Sequence, residues 1–297
     1  EMTLAKEFGA KAITVASTGN MAASCSCYAA SAGIPCFVFV PEGTPTGKLS
    51  QSISYGGHIV QVKGSYGDAA ALAEQTAREL GFYLAGDYAY RVEGQKTAAF
   101  ELIDQMYFDT PDAVIVPMGC GTNITAYAKG FKEYKELGFI EEIPKLIGVQ
   151  PEGAPSIVKS YFENKKDVEV LREASSIGSA ITVNYALDGM KALDAMYSTG
   201  GAGVAVSDTE MVEAQYLLAK EEGLFVEASS ASSFCALKHQ IAEGKLKGEK
   251  VVCVLTGAGL KDPSPILKVA IKPPTIHPRV DEFMSLYKNS FFKGKTI

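Results

Sequence analysis

Asp112-Ala-Val-Ile-Val-Pro-Met118 runs directly into Gly119-Cys-Gly-Thr-Asn123, and a helical pattern follows from Asn123. The first stretch is a β-rich apolar run. The second is a glycine loop that delivers backbone N–H groups to the positive end of a helix. Such a loop is a seat for a phosphate, because unpaired amides and the helix dipole both favour an anion. Taken alone, it reads equally well as a strand-to-helix turn whose glycines supply positive φ. Two further segments point to a pocket. Ser17-Thr-Gly-Asn20 and Leu255-Thr-Gly-Ala-Gly-Leu-Lys-Asp262 are also short polar turns placed directly after apolar β-type runs. Together the three turns describe a site for a flat phosphorylated cofactor.

Outward from this loop, strand-like and helix-like segments alternate. Residues 11–16, 34–40, 58–62, 145–150, 203–206, 224–227 and 250–255 read as strands. Residues 21–31, 46–55, 66–80, 95–107, 123–137, 208–222 and 230–243 read as helices, and Ser207-Asp-Thr-Glu210 matches a capping box. Residues 151–200 carry many polar and glycine positions and give no clear pattern. Pro273-Pro274 closes the regular part, and a basic, aromatic tail follows. Alternating strands and helices predict an α/β fold with parallel sheets flanked by helices. Ligands in such folds sit beyond the carboxyl ends of strands, where all three polar turns fall. The tyrosine-rich turn Gly86-Asp-Tyr-Ala-Tyr-Arg91 predicts a division into a smaller domain, residues 1–88, and a larger one, residues 89–297.

Composition narrows the function. The 297 residues are 47% hydrophobic and 21% charged, which suits about two globular domains with a large core. A net charge of −6 argues against nucleic acid or an anionic membrane as partner. No run reaches the roughly 18 apolar residues of a membrane span. Cys25, Cys27, Cys36, Cys120, Cys235 and Cys253 lack zinc spacing and read as free thiols of a reducing cytoplasm. His58, His239 and His277 lie in neither a hydrolase nor a zinc motif, so no metal is expected.

Five segments carry a family resemblance: Ser17-Thr-Gly-Asn20, Tyr90-Arg-Val-Glu-Gly-Gln-Lys-Thr97, Gly130-Phe-Lys-Glu-Tyr134, Gly148-Val-Gln-Pro-Glu152 and Thr256-Gly-Ala-Gly-Leu-Lys-Asp262. They resemble the threonine synthases, pyridoxal 5'-phosphate enzymes of fold type II, from residue 1 to about residue 265. The resemblance implies a two-domain fold, a homodimer and the conversion of O-phosphohomoserine and water to threonine and phosphate. It implies that Gly119, Cys120, Gly121, Thr122 and Asn123 hold the cofactor phosphate. It places Asn20 at the phenolic oxygen and Thr256 at the pyridine nitrogen. Ser17, Thr18 and Met21 would meet the substrate, and Arg91 its phosphate. A hydroxyl at the pyridine nitrogen leaves the ring neutral, and so tunes its electron withdrawal.

Plainer readings stand beside these. Asn20 suits a helix cap, Thr256 an ordinary turn, Arg91 a structural salt bridge and Lys96 a solvated helix face. The family's Schiff-base lysine is expected just upstream of Glu1, because Glu1-Met2 aligns with the end of the family's lysine motif. The chain also departs from the family pattern. Met21 stands where a hydroxyl residue is common, and Gly86, Asp87 and Tyr88 replace a Ser and Asn-Pro stretch. The glycine loop reads Gly119-Cys-Gly-Thr-Asn123 in place of Gly-Asn-Ala-Gly-Asn, and Thr182-Val-Asn-Tyr185 replaces Arg-Ile-Gly-Asn-Pro. Losing a charged hydrogen bond costs about 1.5–3 kcal/mol. Two alternatives therefore stay open. One is β-replacement or elimination on O-phosphoserine, serine or threonine. The other is binding of a cofactor or amino acid without turnover.

Overall fold

The computed structural model describes residues 1–86, 89–269 and 273–290. The chain builds two four-stranded sheets. The first contains β1 (Ile13–Ala16), β2 (Cys36–Pro41), β3 (His58–Val62) and β4 (Tyr83–Leu84) in the order β3-β2-β1-β4. The second contains β5 (Ala113–Pro117), β6 (Lys145–Pro151), β7 (Ala202–Val206) and β8 (Val251–Cys253) in the order β7-β6-β5-β8. Every strand pairing within the two sheets is parallel. The α/β class with helices on both sheet faces is as the alternating pattern predicts.

Strand β5 shows why the sheets need two covers. All five of its residues are buried. Val114 and Val116 enter one core cluster with Ile124, Phe131 and Leu193, whereas Ala113 and Ile115 enter another with Met211, Ala231 and Cys235. Alternate side chains of a strand point to opposite faces, so a continuous apolar run feeds two cores. In the first sheet Ile13, Val15 and Val38 pack on the helix Asn20–Ala32 through Ala22, Cys25 and Ala29. That helix ends at Gly33, whose φ of 69° is the left-handed cap glycine supplies cheaply.

Two of the family motifs turn out to be packing devices. A Cβ on Gly130 would stand 2.5 Å from the Lys96 carbonyl and 2.7 Å from Ala99 Cβ, so Gly130 admits the backbone at Lys96. Gln150 is fully buried, and its Oε1 accepts from the N–H groups of Ile157 and Val158 at 2.8 and 3.0 Å. It thereby ties the end of β6 to the helix Ser156–Phe162.

The structure corrects several expectations. The helix expected over 95–107 is two helices, Ala89–Gln95 and Thr97–Gln105, broken at Lys96. Lys96 there pairs with Glu93 at 2.6 Å and Glu133 at 2.8 Å, and its side chain is 18% exposed rather than freely solvated. Residues 224–227 form no strand. Only an isolated antiparallel bridge joins Val226 to Ala258, because Leu224 and Phe225 find no neighbouring ladder. Helices Ser156–Phe162 and Gly189–Ser198 occupy the unreadable stretch, and the helix Val280–Ser290 follows the Pro pair that was expected to end regular structure. Arg91 lies in a helix, not a turn. The expected domain boundary at residue 88, with the departures Asp87 and Tyr88, lies outside the described residues.

Candidate active site

The three polar turns follow β1, β5 and β8, at the carboxyl ends of these strands. Asn20 opens the helix after β1. It is the first helical residue, and the cap position is Gly19 with no side-chain cap bond. The Asn20 amide is therefore not a cap. It reaches to the other sheet's side, where Nδ2 donates to the Glu227 carboxylate at 3.3 and 3.2 Å. Glu227 in turn donates its backbone N–H to the Gly257 carbonyl at 2.8 Å. The first and third turns thus meet through Glu227.

The helix Ala228–Ala242 begins with a buried serine run that braces its surroundings. Ser230 Oγ accepts from the Thr256 N–H at 2.7 Å, and Ser229 Oγ accepts from the Ala180 N–H at 3.1 Å. Ala180 belongs to the segment that covers the glycine loop. A Cβ on Gly119 would come within 3.1 Å of the Ala180 carbonyl, and one on Gly121 within 2.9 Å of the Asp188 carbonyl. Gly121 also has a φ of 87°, so both space and conformation demand glycine there.

The loop fits an anion. Gly121 caps the 15-residue helix Thr122–Glu136 without any side-chain bond. Among the described residues, the N–H groups of 119 to 123 meet no acceptor. The Thr122 hydroxyl is buried, in a residue 3% exposed, and has no hydrogen-bond partner. A buried orphan hydroxyl beside free amides at a helix N-terminus is what a phosphate dianion would satisfy.

Two cavities flank Asn20. The first, of about 350 Å³, is lined by Thr18, Asn20, Lys48, Ser179, Glu227 and Lys261 among others. The second, of about 550 Å³, is lined by Glu1, Met21, Cys25 and Arg91 with Asn20. Thr18 and Asn20 thus share one wall, and Asn20, Met21 and Arg91 share the other. Ser17 turns its hydroxyl toward the Gly19 N–H at 3.3 Å. Thr256 is exposed on the loop after β8, and residues 119–123 line neither cavity but sit behind the segment 178–188.

Sequence reasoning missed Glu227, Lys48 and Lys261. Lys261 lies in the Thr256–Asp262 motif without a signal that sets it apart, and Lys48 reads as an ordinary surface residue of the helix Thr46–Ser54. The Glu227 carboxyl is pushed up by burial, while the Asn20 amide and the charges of Lys261 and Lys48 oppose that rise. The six cysteines are free thiols. Burial pushes Cys36 to about 11 and Cys253 to about 12, so both are held as inert thiols.

This geometry gives a parallel α/β protein with two cavities on either side of an amide donor and an anion-fitting glycine loop behind the segment 178–188. The model for the family described as pyridoxal-phosphate dependent enzymes matches residues 2–257, and the chain belongs to that family. Within it the chain groups with the threonine synthases. It is 44% identical over 275 residues to the threonine synthase of Methanocaldococcus jannaschii, covering 92% of this chain and 68% of that protein. It is 36% identical over 283 residues to that of Methanosarcina acetivorans, covering 94% of this chain and 70% of that protein. Among solved structures it resembles the processed threonine deaminase isoform 2 of Solanum lycopersicum, with a TM-score of 0.77, 23% identity, and coverage of 89% and 74% of the two chains. Maize serine racemase gives a TM-score of 0.73 at 21% identity, covering 97% and 80%. These structural likenesses show the fold.

Proposed function

We propose that the protein converts O-phosphohomoserine and water to threonine and phosphate with pyridoxal phosphate. The observation that carries this reading is 44% identity with a threonine synthase over 92% of the chain, across both sheets. When bound, pyridoxal phosphate withdraws electrons from an amino acid joined to it and so makes that amino acid's Cα–H acidic. The chain's own residues supply the rest. The amides of Gly119, Cys120, Gly121, Thr122 and Asn123, with the Thr122 hydroxyl, hold the cofactor phosphate. Asn20 donates to its phenolic oxygen, and the Thr256 hydroxyl meets its pyridine nitrogen.

Ser17 and Thr18 hold the substrate carboxylate, and Met21 packs beside it. The Arg91 guanidinium forks onto the substrate phosphate and stabilises it as it leaves. Lys48 and Lys261 in the first cavity add positive charge near the same substrate. Glu1 lines the cavity that holds Asn20 and Arg91.

The substrate is a small amino acid. A homodimer in the cytoplasm, with no nucleic-acid or membrane partner, completes the proposal. No helix among the described residues is long and apolar enough to cross a membrane.

The test uses the full-length protein. It should carry a visible absorption band that borohydride abolishes, and it should release phosphate from O-phosphohomoserine with threonine as co-product. Met21 in a cavity wall favours the second reading, β-replacement or elimination on a shorter substrate. Higher kcat/KM on O-phosphoserine, serine or threonine would move the assignment there. Light scattering at one subunit's mass would remove the dimer.

A further inference from the structure

Glu227 stands outside every motif that carries the family resemblance, yet it joins two turns of the site. It is a carboxylate only 5% exposed. Both its oxygens accept from one nitrogen, Asn20 Nδ2, across 207 residues of sequence. Its backbone is held to Gly257 at 2.8 Å. A Cβ on Gly257 would lie 2.6 Å from a Glu227 carboxylate oxygen, so the glycine beside Thr256 leaves the space that this carboxylate fills.

An asparagine amide has an acceptor end and a donor end of nearly equal shape, and its two N–H groups point in different directions. Left alone, such an amide flips. A buried carboxylate beside the nitrogen forbids the flip, because the amide oxygen would then face a negative oxygen. With one N–H shared between the two carboxylate oxygens, the other is left for a second acceptor. An ionised phenolic oxygen needs a donor and is repelled by an amide oxygen.

We propose that Glu227 is a positioning residue: it fixes the orientation of the Asn20 amide so that one N–H is held for the phenolic oxygen of the cofactor. This rests on the cofactor reading above. The charged groups facing Glu227 are Lys261, Lys48 and Asp262, all of which line the first cavity with it. None of them touches the Asn20 amide among the described residues, so the orienting contact is Glu227 itself.

The experiment follows the pH midpoint of the visible absorption band in full-length protein loaded with pyridoxal phosphate. Four proteins are compared: the parent, Glu227→Gln, Asn20→Ala and the double variant. Glutamine keeps the volume but puts an N–H where a carboxylate oxygen was, so the Asn20 amide can turn over. The expected result is a midpoint shift of about one pH unit for Glu227→Gln when Asn20 is present, and a much smaller one when residue 20 is alanine. An equal shift in both backgrounds would mean that Glu227 acts without Asn20 and would overturn the proposal, as would no shift in either. If Glu227→Gln fails to fold, Glu227→Asp, which keeps the charge but falls short of Nδ2, goes through the same comparison with the same criteria. A parent protein that shows no visible band at all is a different result. It would strike the cofactor reading itself, and the inference with it.

Discussion

Lys48 Nζ stands 3.9 Å from an Asp262 carboxylate oxygen, and the pair spans the first cavity from the helix Thr46–Ser54 to the loop after β8. The Lys48 side chain is 43% exposed, so a pair this long adds little stability. Lys48 is therefore available to an incoming anion. Lys48→Met should leave stability within about 0.5 kcal/mol of the parent. It should lower kcat/KM for O-phosphohomoserine by roughly 10- to 150-fold, the range of a lost charged hydrogen bond. Steady-state kinetics beside a urea melt checks both. Unchanged kinetics would exclude Lys48 from substrate binding.

Arg91 lines the other cavity with Met21 and Glu1. A guanidinium there should matter most to a substrate that carries phosphate. Arg91→Leu should lose roughly 10- to 150-fold in kcat/KM on O-phosphohomoserine and much less on an unphosphorylated amino acid that the parent also processes. Equal losses on both substrates would assign Arg91 to the fold instead.

The buried Thr122 hydroxyl lacks a partner in the protein, so the folded chain has little to lose with it. Thr122→Val should leave the cofactor-free protein as stable as before, or slightly more so. Its dissociation constant for pyridoxal phosphate should rise about tenfold, as losing roughly 1.4 kcal/mol of binding would do. Equilibrium titration by absorbance reads the constant. A variant that binds as tightly as the parent would place the phosphate away from this loop.

Glu210 offers a pH test remote from the site. Burial alone would raise its carboxyl. The His239 ring at 2.5 Å and the Ser207 N–H and hydroxyl outweigh that and hold it at about 2 against an ordinary 4.5. A depressed folded value means that the contribution is complete above 4.5 and is lost as pH falls toward 2. Glu210→Gln should therefore melt below the parent at neutral pH, and the gap should close as the pH falls through this window. A gap that stays constant with pH would mean that the pair contributes through packing alone.

The α/β class was legible because the physics behind it is local. Apolar β-runs such as 112–118 bury on both faces, and capping boxes such as Ser207 to Glu210 satisfy the first N–H groups of a helix. The failures also have local causes. Residues 156–162 form a helix of only seven residues, too short to display a period, and it is tied to β6 by the Gln150 side chain, which accepts from the N–H groups of Ile157 and Val158. The backbone at the Lys96 break packs against Gly130, more than thirty residues away, and that contact is invisible to a local reading of the sequence.

By itself the sequence determined the three polar turns, their place after strands and the residue types that suit a phosphate and a flat ring. Glycines, amides and hydroxyls declare such chemistry wherever they lie, because positive φ and donor capacity belong to the residue. Only the tertiary structure decided which of them meet. Asn20 finds Glu227 across 207 residues, Gly257 yields its Cβ volume to that carboxylate, and Lys48 faces Asp262. The Asn20–Glu227 and Lys48–Asp262 contacts join the part of the chain that carries the first sheet to the part that carries the second, and that juxtaposition is a property of the whole chain.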